Sequence, residues 1–280
     1  MLLLGDDFKQ TCQLVDAGPC AVTAIATSHD GRLAAIGWLD GRIAIVDVAT
    51  RQAQMCGYAA PDDSLDERKI NSLCFDSSGT HLAACGDDAR VRVWKVGDGS
   101  QPLWEKQHNS YAHVTCFCGP DRLAVGGMFE EIIVYNVLTG DVDQRIAGVS
   151  RTVSLLYDPQ RECLISGHGD GRLRIHLRIL LGQGFQQVET LNGDAGEILS
   201  LAGSPVWSCY VSGDSQGHLK VWNAEHRELI GNLHTIPGGP ELNSISLDSR
   251  RGEWFVFHTA SNPADPAAES WLNCTLFSGR

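Results

Sequence analysis

Two segments decide the fold of this chain: Leu33-Ala-Ala-Ile-Gly-Trp-Leu-Asp-Gly-Arg-Ile-Ala-Ile-Val46-Asp47 and Leu82-Ala-Ala-Cys-Gly-Asp-Asp-Ala-Arg-Val-Arg-Val-Trp94-Lys95. Each reads as a strand of small apolar residues, a Gly/Asp turn, and an alternating strand that ends on a large anchor. The unit returns as Leu123-Ala-Val-Gly-Gly-Met-Phe-Glu-Glu-Ile-Ile-Val-Tyr135-Asn136, Leu164-Ile-Ser-Gly-His-Gly-Asp-Gly-Arg-Leu-Arg-Ile-His176 and Tyr210-Val-Ser-Gly-Asp-Ser-Gln-Gly-His-Leu-Lys-Val-Trp222-Asn223. Its anchors at positions 46, 94, 135, 176 and 222 stand 48, 41, 41 and 46 residues apart, the period of a stacked-repeat architecture. Faces alternate in Arg90-Val91-Arg92-Val93-Trp94 and helical periodicity is nowhere sustained, which predicts an all-β fold. A small antiparallel sheet cannot bury both faces alone, so the units must stack, and radial closure leaves only short protected edges.

These residues resemble the WD40-repeat family, whose unit of this length forms one four-stranded blade of a β-propeller. The resemblance implies a single propeller domain over residues 1–280, read as six blades, with seven or an open ring as the alternatives. At the family's terminal Trp-Asp the chain has Val46-Asp47, Trp94-Lys95, Tyr135-Asn136, His176-Leu177 and Trp222-Asn223, so no copy keeps the dipeptide. The Gly-His before each blade reads Gly148-Val149 and Gly193-Asp194, and the turn Asp survives as Asp40, Asp88 and Asp170 but is Phe129 and Gln216 elsewhere. The family's buried His–Asp network is therefore expected to be largely absent. In a sixth unit, Leu242 to Leu247, Trp254 to Phe257 and Trp271 to Phe277 supply three strands. Phe8 to Val15 resembles the outer strand that closes such rings on the last blade, and Leu2 to Gly5 belongs to a seventh blade in the alternative reading.

Composition narrows function. The 280 residues are 43% apolar and 20% charged, enough for a well-buried core. No run reaches the roughly 18 apolar residues of a membrane span, and Met1-Leu2-Leu3-Leu4 meets Asp6 and Asp7 without a basic flank, so neither a span nor a signal peptide is expected. The place of action is read as intracellular, cytoplasmic or nuclear. A formal charge of −12 opposes binding to nucleic acid or anionic lipid. The ten cysteines are scattered through apolar runs and read as reduced core residues, and no pairs stand at zinc-ligand spacing. Asn273-Cys274-Thr275 matches the glycosylation sequon without a route to modification.

Several strings carry possible chemistry. Gly213-Asp214-Ser215-Gln216-Gly217 fits the nucleophile elbow of serine hydrolases, yet the elbow needs a strand entering a helix and here an alternating strand follows. His108, His113, His168 and His176 share no ligand spacing, and His176 occupies an anchor position. Neither a phosphate-binding loop nor a dinucleotide fingerprint is present, so no cofactor is expected. Arg172, Arg174 and Arg178 with His176 form an alternating basic strip, a weak nucleic-acid signal against the overall charge.

The sharper signal is the turn before the third strand, which in WD40-like propellers lies on the face where partners dock. Trp38-Leu39 and Met128-Phe129 occupy it where other units have Gly86-Asp87, Gly169-Asp170 and Ser215-Gln216. Aromatic and Met side chains at a turn mark an interface centre or fold back onto their own unit. The insertion from Tyr58 to Lys69 would add an acidic rim on that face. The reading is a non-catalytic scaffold, a subunit of a multiprotein complex, that anchors a protein or peptide through Trp38, Leu39, Met128 and Phe129. Asp87, His168 and Asp214 would add polar selectivity. A hydrolase using Ser215 and a nucleic-acid-associated subunit are the alternatives.

Overall fold

The computed structural model describes residues 2–4, 11–13, 20–56, 68–179, 184–193, 196–204, 208–235, 241–250, 253–261 and 271–278, and within them every regular element is a strand. The chain forms two compact units: Met1–Phe129 with Val134–Asp143, and Glu130–Ile133 with Gln144–Arg280. In unit 1, β1 (Leu2–Leu4) pairs with β2 (Thr11–Gln13). The first four-stranded sheet follows as β3 (Val22–Thr27), β4 (Leu33–Trp38), β5 (Ile43–Asp47) and β6 (Ala53–Cys56). The second is β7 (Ile70–Phe75), β8 (His81–Gly86), β9 (Arg90–Lys95) and β10 (Trp104–Gln107). The division between units falls within the third, β11 (Ala112–Phe117), β12 (Arg122–Gly127), β13 (Glu131–Asn136) and β14 (Val142–Ala147).

Unit 2 holds the fourth sheet, β15 (Thr152–Asp158), β16 (Cys163–His168), β17 (Arg172–Arg178) and β18 (Phe185–Asn192). The fifth is β19 (Ile198–Ser204), β20 (Cys209–Asp214), β21 (His218–Asn223) and β22 (Leu229–Thr235). A three-stranded sheet ends the chain: β23 (Glu241–Arg250), β24 (Glu253–Ser261) and β25 (Trp271–Ser278). All neighbours pair antiparallel in chain order, so the architecture is the up-and-down meander of propeller blades. Of the segment expected to close the last sheet, the structure describes Thr11–Gln13, and these residues pair with Leu2–Leu4 instead. Most of the Tyr58–Lys69 insertion lies outside the described residues. No helix among the described residues is long and apolar enough to cross a membrane.

Three local devices repeat and explain the sequence pattern. The first is a register shift at the start of each sheet, between Val22 and Ala24, Ile70 and Ser72, Ala112 and Val114, Thr152 and Ser154, Ile198 and Ser200, and Leu242 and Ser244. A bulge inserts one residue and increases the local twist. Its presence in the last sheet marks Glu241–Arg250 as the opening strand of a sixth unit.

The second device caps the turn between third and fourth strands. The side-chain oxygen of Asp47 accepts from the amides of Ala49 and Thr50 at 3.0 and 2.8 Å. Asn136 does the same for Leu138 and Thr139 at 3.0 and 3.1 Å, and Asn223 for Glu225 and His226 at 2.8 and 2.9 Å. Each turn then closes through a residue at positive φ, Arg51, Gly140 or Arg227, whose amide bonds back to the carbonyl four residues earlier. Asp or Asn is favoured there because its short side chain reaches the next backbone amides. This holds the turn whether or not Trp precedes it.

The third device is glycine at the end of the second strand. A Cβ on Gly37 would stand 2.7 Å from Ile70 Cγ2, and one on Gly167 would stand 2.6 Å from Ile198 Cγ2. The opening strand of the following sheet lies against that point, so only hydrogen fits. Within unit 1, Ile43, Ile45, Ile70, Leu73, Leu82 and Trp94 join into one core; in unit 2, Ile165, Ile175, Ile198, Tyr210 and Trp222 form another. Mid-strand polar positions are not solvated either. Arg92 and Arg174 are buried, and each reaches back four residues to a turn carboxylate at 2.7 Å, Asp88 and Asp170 respectively. Outside the ladders, Gln144 links outer strands of unit 2: its amide donates to the Phe185 carbonyl and accepts the Phe185 N–H, both at 2.6 Å.

Replacing Gly167 with Ala would force Ile198 and Ser154 apart. The expected outcome is a loss of about 1–3 kcal/mol in chemical unfolding, with Gly31→Ala in an open turn as the comparison for backbone strain alone.

Candidate functional site

All seven residues singled out from the sequence lie where the second strand ends or in the turn that follows it, and burial sorts them. In unit 1, Leu39 is 46% exposed and Met128 is 42% exposed, whereas Trp38 and Phe129 are buried. The Trp38 ring lies beneath the Arg42 guanidinium at 5.3 Å, and its indole N–H has no hydrogen-bond partner among the described residues. Phe129 stacks on His108 with centroids 4.9 Å apart. Leu39 and Met128 are held by one repeated contact: the Leu39 amide donates to the Ala21 carbonyl and the Met128 amide to that of Tyr111, both at 2.9 Å. Asp87 makes the same contact with Lys69 at 3.0 Å, and its carboxylate accepts from Asn71 Nδ2 at 2.6 Å.

The expectation that Trp38 and Phe129 present their rings to a partner is therefore corrected. Both rings turn inward, Trp38 beneath Arg42 and Phe129 against His108, and their burial removes apolar surface from water. Tyr111, 43% exposed and joined through its carbonyl to Met128, is the surface aromatic the sequence reading missed. Its signal was the position just before β11, one hydrogen bond from the turn. His108 was also missed, as a partner to the anchor: Tyr135 Oη lies 3.2 Å from His108 Nε2, and the two rings meet edge to face.

In unit 2 the corresponding side chains are interior. His168 is fully buried, and since the Ser150 carbonyl 2.9 Å from Nδ1 can only accept, Nδ1 carries the proton. Nε2 then accepts the Ser166 hydroxyl at 2.7 Å, and the Ser166 oxygen accepts from His176 Nε2 at 2.9 Å. Burial, with Arg174 nearby, pushes His168 down to about 4; burial and the facing His168 push His176 down to about 3. Both rings are neutral at physiological pH. Asp214 is buried as a turn cap, accepting from the amides of Gln216 and His218 and facing His218 Nδ1 at 2.8 Å. As surface selectors, His168 and Asp214 are corrected to interior groups.

Where the family's His–Asp network was expected to be largely absent, the anchors make other polar contacts. Trp222 Nε1 donates to Ser212 Oγ at 2.9 Å in the fifth sheet, the Ser166 chain serves the fourth, and His108 with Tyr135 serves the third. Ser215 sits between two strands, where its hydroxyl accepts the Glu197 amide at 3.0 Å, so the hydrolase elbow is not formed. Arg174 and His176 of the basic strip are buried, and Arg172 and Arg178 face Asp170 and Glu162. Burial raises the thiols of Cys56 and Cys209 to about 11, which leaves them unreactive. Among the described residues no cluster of His, Cys, Asp or Glu is placed to hold a metal ion.

These turns, caps and anchors are those of a WD repeat, and known proteins agree. The model of the WD domain, G-beta repeat family matches residues 63–95, the unit that spans β7 to β9. "Cell division cycle 20.6, cofactor of APC complex" from Arabidopsis thaliana is 24% identical over 221 residues, covering 72% of this chain and 50% of that protein. "WD repeat-containing protein slp1" from Schizosaccharomyces pombe is 23% identical over 240 residues, covering 72% of this chain and 49% of that protein. "WD repeat and HMG-box DNA-binding protein 1" from Xenopus laevis is 22% identical over 170 residues, 59% of this chain and 14% of that protein. The chain spans about half the length of the first two. The chain is thus similar to WD-repeat proteins and carries that repeat's signature in its second unit.

Two outcomes follow from the burial pattern. Phe129→Ala and Trp38→Ala are each expected to cost about 3–5 kcal/mol of stability, whereas Leu39→Ala and Met128→Ala should stay within about 0.5 kcal/mol by denaturant titration. The imidazoles set a pH window. Their folded pKa values lie below the unfolded value near 6.5, so the native state binds fewer protons, and stability is full above that pH and falls as pH drops toward 4. At pH 5 the loss is expected to be about 2 kcal/mol per ring, and His176→Phe should flatten the profile. Asp158 and Asp170, where arginine hydrogen bonds outweigh burial, lose their contribution only below about pH 4.

Proposed function

We propose that this WD-repeat chain is a non-catalytic adaptor that docks a protein or peptide partner on turns of unit 1. Leu39, Met128 and Tyr111 supply apolar contact, and Asp87 with Lys69 supplies polar selectivity beside them. Trp38 and Phe129 back this surface from within. The observation that carries the reading is the exposure of large apolar side chains at the same repeat position where the other sheets have Asp87, Gly169 and Ser215. Each is pinned by a backbone hydrogen bond, so their shape is preorganised and little rotational freedom of the backbone is lost on binding. Met and Tyr are enriched at interface centres.

The setting is an intracellular multiprotein complex, a reading supported by the relative whose name makes it a cofactor of the APC complex. A protein partner fits better than nucleic acid because the net charge is −12 and the arginines of the fourth sheet are paired. The chemistry is binding rather than turnover, since Ser215 is engaged by a backbone amide.

A photo-crosslinking residue at Met128 tests this, with Val188 on an outer strand as the control position. Crosslinks to one partner from Met128 alone, lost in the folded Leu39→Asp/Tyr111→Asp variant, are the expected outcome. Equal capture from both positions, or capture unchanged in that variant, overturns the reading.

A further inference from the structure

Between the fourth and fifth sheets of unit 2 lies a cavity of about 300 Å³, at the end of the strands away from His168 and Asp214. Cys163 opens β16 and Tyr210 stands near the start of β20, while His168 and Asp214 close those strands. Apart from the charged residues, its lining is Cys163, Ile175, Leu177, Tyr210 and Ala224. The Tyr210 hydroxyl is already committed, donating to Asp158 Oδ2 at 2.9 Å. A void of about 150 Å³ lined by such residues takes benzene, so this one has room for the side chain of a phenylalanine or tryptophan.

The mouth is charged and asymmetric. Arg161 Nη1 is held on Asp158 at 2.9 Å, whereas Nη2 stands 3.5 Å from Glu225, a carboxylate 62% exposed, in the longer of the two Arg161 ion pairs among the described residues. Arg227 reaches Glu189 through Nη1 at 3.1 Å. A guanidinium has five donors, and these contacts leave N–H groups of both arginines at the rim. Arg227 and Glu225 belong to the turn that Asn223 caps, so the rim is set by a rigid piece of backbone. Glu225 marks where a carboxylate sits against Arg161. As a long, solvated pair it holds its place by less than about 1 kcal/mol and is readily exchanged.

We propose that this cavity is a second docking site, which takes from a partner peptide an aromatic side chain flanked by a carboxylate. The ring fills the apolar floor, and the acid replaces Glu225 on Arg161 and engages Arg227. This site is separate from the turns of unit 1 and does not rest on the reading given to them.

The test uses the full chain and three probes followed by amide chemical shifts: N-acetyl-Phe-Asp-amide, N-acetyl-Phe-Asn-amide and N-acetyl-Gly-Asp-amide. Saturable binding of the first is expected, about fivefold or more tighter than either of the others, as removal of one charge or one ring predicts. Glu225→Gln should tighten it by removing the resident competitor. Arg227→Gln should weaken it about fivefold, and Ala224→Leu should block the floor. Arg227→Gln leaves the core untouched, so it serves if Ala224→Leu does not fold. Leu39→Asp should change nothing. Absence of saturable binding to both the wild type and Glu225→Gln, equal binding of all three probes, or indifference to Arg227→Gln overturns the proposal.

Discussion

Strand against sheet at hydrogen-atom distance is the constraint on which the rest depends. Where Gly37 meets Ile70 and Gly167 meets Ile198, the opening strand of one sheet crosses the second strand of the previous one with no room for a methyl group. That approach lets β-branched residues of one meander pack into the small-residue strand of another, burying middle strands on both faces. With both faces covered, the polar positions of those strands lose solvent, and their side chains must find partners inside. The ion pairs of Arg92 with Asp88 and of Arg174 with Asp170 answer that demand.

The same demand shapes the anchors. In the repeat that this chain resembles, a set of side chains satisfies the buried polar atoms, and three sheets of this chain do so by different means. Tryptophan donates to serine in the fifth, two histidines share a serine in the fourth, and tyrosine meets histidine in the third. What is kept is a polar contact at the anchor itself, so the dipeptide can erode while the turn geometry holds.

Much of this was legible in the sequence, and unevenly so. The period, the small-residue strand and the Gly/Asp turn gave the all-β repeat because they are local properties of backbone and side-chain size. The aspartate and asparagine after each anchor were visible as letters, but their role depends on the turn they cap. Exposure at the candidate site was not readable: Trp38 and Leu39 are adjacent, and only the packing decides that one turns inward and the other outward. Tyr111 and His108 acquire meaning only through contacts to Met128 and Tyr135, which local patterning cannot encode. The cavity beside Tyr210 joins residues from two repeats, so no single unit announces it.

The amide of Gln144 closes a two-way pair with the backbone of Phe185 and so imitates a peptide group where no ladder runs. An imitation of this kind is chemically perishable. Hydrolysis of that one amide to the acid would leave the acceptor intact and abolish the donor, setting a carboxylate against a carbonyl oxygen. A mass change of about one dalton would thus unfasten two outer strands without touching a residue of the core.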